Sequence, residues 1–272
     1  MGAGVLKNRA ANGSKTVDKC FQVLQVISDN LAKENGRDLG MRLVDIATAA
    51  DFDQATTYRY LQSLESFGLV WRDYDGRYRL GLKIVELYNV FMKNNTLRSV
   101  AYEYMVALSQ ETSETVYLGV LNGDEVSYIE KVDGPLPIRP HTPIGGRNKL
   151  YCTGLGKAML SVADLDFVES IVNGTLEPAT EHTILDPQQL LQELAECRKR
   201  GYAIDNMESQ MEVRCVGAPI FNSLGQVFAA ISVSGPAFRV TEERLEEMSH
   251  RVVEVAGKIS QLMGYDCSML RA

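Results

Sequence analysis

Residues 41–81 read MRLVDIATAADFDQATTYRYLQSLESFGLVWRDYDGRYRLG, and the change of hydrophobic period inside this stretch decides the fold. Met41–Ala50 has helical spacing, with Leu43, Val44, Ile46 and Ala47 expected to face inward. Asp51-Phe52 makes a tight turn, and Asp53 is a cap for a helix that runs to Phe67 and stops at Gly68. Its inner face is Thr57, Tyr60/Leu61 and Leu64. Past Gly68 the period falls to two. Leu69–Arg72 and Arg77–Leu80 are strand-like runs, and the Asp75-Gly76 pair between them signals a hairpin. Upstream, Thr16–Leu31 predicts a further helix with Val17, Cys20/Phe21, Leu24, Ile27/Ser28 and Leu31 on its inner face, broken at Asn35-Gly36 and followed by a short extended link at Leu39. Helix, helix, turn, helix, hairpin is the winged helix-turn-helix plan.

The third helix presents Gln54, Ala55, Thr56, Tyr58, Arg59, Gln62 and Ser63 away from its apolar stripe. Arg59 suits a guanine edge, and Gln54 or Gln62 an adenine edge. Thr56, Thr57 and Tyr58 are candidate phosphate donors, and Arg72, Arg77 and Arg79 on the hairpin can reach the adjacent backbone or minor groove. A merely solvated polar face is the plain alternative. The unbroken order of elements favours double-stranded DNA as the partner. The whole-chain charge of −7 argues against this only superficially. Residues 1–81 hold 11 Lys/Arg and 10 Asp/Glu, so +1, and residues 82–272 hold 17 and 25, so −8. The acidity belongs to the other half of the chain, and phosphate contacts are local.

The 272-residue length fits two domains around this boundary. The expected divisions are an arm at 1–14, the DNA-binding domain at 15–81, a linker helix at 82–96, a second domain at 97–264 and a tail at 265–272. The linker carries Leu82, Val85, Leu87 and Phe91. The second domain reads as helix 97–111, strands Thr115–Leu121 and Glu125–Val132, then a loop from Gly134 to Gly146 with four of the chain's eight prolines. Helices follow at Gly154–Val162, Asp164–Val172 and Pro187–Gly201, strands at Ala203–Asn206, Val213–Phe221 and Val227–Ser234, and a last helix at Thr241–Met263. That is an α+β domain built on an antiparallel sheet. Thr153-Gly154-Leu155-Gly156 opens a helix, where unpaired N–H groups suit a carboxylate. Gly-rich packing is the plainer reading of the same residues.

LVDIATAADFDQATTYRYLQSLESFGLVWRD (43–73), DGRYRLG (75–81), YCTGLGKAML (151–160), ECRKRGYAID (196–205), VRCVGAPIFNSLGQVFAAISVSG (213–235) and RVTEERL (239–245) occur in one order and spacing. Together they resemble the IclR family of bacterial transcriptional regulators over about Thr16–Met263. The resemblance implies an N-terminal winged helix-turn-helix, a linker helix and a C-terminal effector domain of GAF/PAS-like fold with an antiparallel sheet. It also implies homodimers or homotetramers that control operons for small carbon compounds, more often as repressors. Carried over motif by motif, it implies effector contacts from Gly154, Leu155, Asp205, Val213, Cys215, Ser232 and Ser234, and more weakly from Leu136 in the Pro-rich loop. The ligand implied is a small 2-oxo or hydroxy acid. Serines and N–H groups would hold its carboxylate, Asp205 would accept from a hydroxyl, and Val213, Leu155 and Leu136 would wall its apolar part. Arg139 or His141 in the loop can add a cationic contact or simply hold the loop. Leu155 stands where a smaller residue is common and narrows the space.

The five cysteines, Cys20, Cys152, Cys197, Cys215 and Cys267, contain no CxxC pair, and most read as small core residues of a cytoplasmic protein. No export signal, myristoylation pattern or membrane-spanning run is apparent, and no cofactor is expected. Two rival functions use the same residues. A zinc-responsive regulator would need Cys215, Asp205 and a histidine, with poor ligand spacing. A cysteine hydrolase would need Cys215 or Cys152 with His141 or His182, without any local signature.

Overall fold

A computed structural model describes residues 14–33, 40–94 and 96–265. The expected arm and tail, apart from Ser14 and Tyr265, lie outside the described residues, as do Cys267, the Asn35-Gly36 break and the Leu39 link. The chain divides into two compact units, Met1–Asn94 and Asn95–Ala272.

The first unit packs α1 (Lys15–Lys33), α2 (Leu43–Ala50) and α3 (Gln54–Ser66) beside a hairpin of β1 (Val70–Arg72) and β2 (Tyr78–Leu80), followed by α4 (Lys83–Asn94). Its core is Val23, Ile27, Met41, Ile46, Ala50, Leu61, Leu64, Val70 and Tyr78. This keeps Cys20, Leu24 and Ile27 on the inner face of the first helix and corrects the rest of it. Val17 and Phe21 are 50% and 58% exposed, whereas Val23 is fully buried, because α2 and α3 dock on the Val23/Ile27 side. Met41 does not open α2. It pairs as an isolated antiparallel bridge with Tyr78 and so extends the wing by one strand position. Val44 is exposed, and Ala50 takes the inward place expected of it. The other local signals operate as read. Asp51 adopts a left-handed conformation in the turn. The Asp53 carboxylate accepts from the Thr56 hydroxyl at 2.6 Å and the Thr56 N–H at 2.8 Å, which together hold that carboxyl below the usual range. Gly68, with φ +70°, ends α3.

The second unit begins with α5 (Thr96–Thr112) and continues with β3 (Thr115–Asn122), β4 (Glu125–Val132) and β5 (Arg147–Lys149). A 3-10 turn, Leu150–Cys152, leads into α6 (Gly154–Leu160), α7 (Leu165–Val172) and α8 (Pro187–Arg200). The chain then forms β6 (Ala203–Asn206), β7 (Val213–Phe221), β8 (Val227–Pro236) and α9 (Glu242–Leu262). The six strands form an antiparallel sheet of order β5-β4-β3-β8-β7-β6. β5 was not anticipated: three polar residues carry no strand pattern, and it exists by pairing with Glu125–Ser127.

Alternation sorts each central strand between two cores. Val116, Leu118, Val216, Ala218, Ile231 and Val233 face a core shared with α5 and α9. Tyr117 and Ala230 join the opposite core, shared with α6, α7 and α8. On that second face two glycines let α6 approach the sheet. A side-chain carbon added at Gly217 would lie 2.6 Å from the Gly154 carbonyl oxygen, which no real contact allows. Among the described residues no helix is long and apolar enough to cross a membrane.

Candidate functional site

In the first unit, α3 carries the candidate DNA-reading residues on its outer face. Gln54, Ala55, Tyr58, Arg59, Gln62 and Ser63 are exposed, and Thr56 is half-buried. The Arg59 guanidinium has no ion-pair or hydrogen-bond partner among the described residues. Tyr58 and Gln62 are linked, the amide donating to the phenol oxygen at 3.2 Å. The Thr56 hydroxyl donates to the Asp53 carboxylate at 2.6 Å, so it is engaged in the cap. Thr57 is removed from the candidates: it is fully buried and its hydroxyl donates to the Asp53 carbonyl at 3.0 Å.

The wing arginines differ among themselves. Arg72 is exposed, with its Nε donating to the Gly76 carbonyl at 3.3 Å. Arg77 is half-buried and donates to the Gly40 carbonyl at 3.1 Å. Arg79 pairs with Asp73 at 3.0 Å, and that carboxylate also accepts the Arg77 N–H at 2.8 Å. Asp73 and Arg79 therefore close the hairpin, and Arg72 is the wing cation most available to a phosphate.

In the second unit, a cavity of about 420 Å³ opens on the sheet face that carries α6. Gly154, Leu155, Asp205, Val213, Cys215, Ser232 and Ser234 all line it. These residues come from α6, β6, β7 and β8. The register explains the meeting: Cys215 pairs with both Asp205 and Ser234, and Gly217 pairs with Ser232. Leu136 does not line the cavity, and Arg139 also lies outside it, beside Asp133 at 3.5 Å and bonded to the Leu136 carbonyl. The loop instead covers the cavity with Pro140, His141, Thr142 and Pro143.

Residues without a motif complete the walls. Tyr117 and Tyr128 pack edge to face at 5.4 Å. The Tyr117 hydroxyl donates to the Pro140 carbonyl at 2.9 Å and accepts the Thr142 N–H at 3.2 Å, fastening the loop over the cavity. Asn148 donates to the Tyr128 hydroxyl at 3.1 Å. The alternation of Tyr117 with Val116 and Leu118 was the available signal for its inward face. Asn148, Ser209 and Gln210, which also line the cavity, carry no such signal.

Asp205 plays a different part from the one expected. Its carboxylate is almost wholly buried and already accepts the Glu208 N–H at 2.7 Å, the Ser209 N–H at 3.2 Å and the Ser209 hydroxyl. It shapes the turn between β6 and β7 rather than waiting for a ligand hydroxyl. Burial raises its pKa against those three bonds. Thr153 caps α6 by accepting the Gly156 N–H at 3.0 Å.

Burial pushes the Cys152 thiol up to about 12 and the Cys215 thiol well above its ordinary value. Raised thiols are poor nucleophiles at neutral pH, which works against the hydrolase alternative. Among the described residues no group of three His, Cys, Asp or Glu is arranged to hold a metal ion.

A winged helix-turn-helix with an exposed polar third helix, joined to a unit with a partly polar cavity, defines a DNA-binding regulator. The IclR helix-turn-helix domain matches residues 16–73 and the bacterial transcriptional regulator IclR C-terminal domain matches residues 90–261. The chain belongs to the IclR family of transcriptional regulators. It is 35% identical to the HTH-type transcriptional regulator KdgR of Escherichia coli K12, over 94% of this chain and 97% of that protein. It is 29% identical to the HTH-type transcriptional repressor AllR of the same strain, over 94% and 92%. The crystal structure of the Thermotoga maritima IclR is similar at 35% identity and a TM-score of 0.73, covering 92% of this chain and 99% of that one.

Proposed function

We propose that this regulator binds its operator through Gln54, Arg59 and Gln62 on α3 and Arg72 on the wing, and that a small 2-oxo or hydroxy acid in the second unit controls that binding. The observation that carries the effector half is the cavity floor. Ser232 is almost wholly buried by its neighbours there, and it lines the cavity. Beside it lie the Ser234 hydroxyl and the start of α6 at Gly154-Leu155. Two hydroxyls and a helix start gathered at one cavity suit an acceptor-rich ligand such as a carboxylate. Leu155, Val213 and the two tyrosines supply its apolar wall.

Repression is the proposed direction of control, supported by the similarity to the transcriptional repressor AllR. A homodimer, or a pair of dimers, is the proposed assembly. Val17 and Phe21 on α1 and Val85, Leu87 and Val90 on α4 leave two apolar faces exposed in the first unit, and two modules reading adjacent half-sites would compensate for the modest affinity of one. The test is a gel-shift titration of the full-length protein on DNA from its own upstream region, with a panel of glyoxylate, pyruvate and gluconate. Release by one acid at micromolar to millimolar concentration supports the reading. Operator binding that no acid alters, together with no heat of acid binding, overturns the effector assignment.

A further inference from the structure

The cavity rests on a buried cluster of charge, of which only Asp205 lines the cavity. Lys157, three residues beyond Gly154 on α6, is 1% exposed. Its ammonium lies 2.6 Å from Glu208 and 3.4 Å from Glu193, and Glu193 is 2.8 Å from Arg200 on α8. Glu208 belongs to the turn after β6, which is bounded by two non-glycine residues with positive φ, Met207 at 63° and Glu212 at 61°. The Asp205 carboxylate holds that turn, which delivers Ser209, Gln210 and Val213 to the cavity. The Lys157–Glu208 pair is thus a strut between two cavity walls. The second carboxylate oxygen of Glu208 is buried with no hydrogen-bond partner.

The charges do not balance. Asp205, Glu208 and Glu193 stand against Lys157 and Arg200, leaving −1 when every acid is ionised and zero when one is protonated. An acid effector placed against Asp205 adds a further negative charge in a poorly solvated space. We propose, resting on the carboxylate reading above, that this effector binds together with one proton, which is taken up by Glu208. Glu208 is the acid best placed to take it. Asp205 has three donors to its carboxylate, and Lys157 and Arg200 outweigh burial to hold Glu193 low. Glu208 has two donors on one oxygen, the Lys157 ammonium and the Asn206 N–H at 3.4 Å, and its other oxygen is orphaned; burial lifts it to about 7 despite Lys157. Other titratable groups near the cluster are the thiols of Cys152, Cys197 and Cys215, which burial keeps protonated at about 12, about 12 and well above the ordinary value, and the Tyr128 phenol, which burial also raises; His141 and Arg147 line the cavity itself. Lys157 stays charged because Glu208 and Glu193 outweigh its desolvation. Protonating Glu208 also leaves more of the Lys157 charge uncompensated near the α6 end of the cavity, where the effector carboxylate would lie.

The sign follows from linkage. Binding favours the protonated acid, so affinity is full below about pH 7 and falls by up to about tenfold per pH unit above it. Calorimetric titration of the full-length protein with glyoxylate, pyruvate and gluconate, in buffers of different ionisation enthalpy at about pH 7.5, counts the protons. Uptake approaching one proton, lost in Glu208→Gln along with the pH dependence, supports the proposal. Acid binding with no proton exchanged, or uptake that persists in Glu208→Gln, overturns it and leaves the effector assignment standing. Binding of none of these acids removes the effector assignment and this proposal with it. Carbon-13 detection of the glutamate carboxyls in ligand-free wild-type protein provides a readout independent of the variant's folding. A resonance titrating near 7 is expected, and its absence overturns the proposal.

Discussion

Arg59 and Asp205 mark the contrast between the two units. Arg59 lies on the outside of one helix with its donors unspent, among reading residues drawn from a stretch of ten. Asp205 is buried, its oxygens occupied by its own turn, and it works beside residues from α6, β7 and β8 that are far apart in the chain. The first site reads a large rigid polyanion that comes to the surface, so its side chains need exposure and spacing. The second encloses a small ligand, so its polar groups must be positioned before the ligand arrives and most must be satisfied in its absence. Substitutions in the first should therefore act one residue at a time. Substitutions in the second should spread through the scaffold.

The largest effect is expected for Arg59→Ala. A bidentate arginine–guanine pair contributes about 1–3 kcal/mol, and a dimer would lose two of them. Fluorescence anisotropy on operator DNA should show a loss of more than a hundredfold with acid binding unchanged. Normal operator affinity would remove α3 as the reading helix. Cys215→Leu comes next: extra volume against Asp205 and Ser234 should abolish the effector titration while operator affinity stays within a factor of two or so. An unaltered titration would take Cys215 out of the cavity.

Gly217→Val tests how far disturbance spreads in the second unit. Its side chain must displace the Gly154 carbonyl, and a cost of about 1–3 kcal/mol is expected, read as a lower denaturant midpoint with weakened acid binding. Full stability would show that α6 can move away from the sheet freely. The smallest effect separates two of the wing cations. Arg72→Met should weaken operator binding a few-fold and flatten its salt dependence, whereas Arg79→Met should chiefly loosen the hairpin that Asp73 closes. Equal salt slopes for the two variants would erase that distinction.

Local chemistry made much of the first unit legible. The Asp53 cap, the Gly68 stop and the Asp75-Gly76 hairpin are decided within a few residues and needed no partner. The expected inner face of α1 holds at Cys20, Leu24 and Ile27 but not at Val17 and Phe21, which are as apolar as the buried Val23, and only the docking of α2 and α3 chooses among them. In the second unit the motif residues of α6 and β6–β8 do meet at one cavity. Leu136 fails because a Pro-rich loop has no period from which to read direction. Tyr117, which fastens that loop, sits in a strand pattern that gives no hint of its hydroxyl's partners.

By itself, then, the sequence determined the element order apart from β5, most caps and turns, the division of charge between the halves and the face of each central strand, since all depend on neighbours a few residues apart. The tertiary structure decided which apolar face of α1 is buried, that Arg79 serves the wing while Arg59 is left unpaired, and that Lys157 and Glu208, 51 residues apart, form a strut beneath the cavity. Those outcomes depend on desolvation and on the register of strands distant in the chain, and neither quantity exists until the sheet has closed around them.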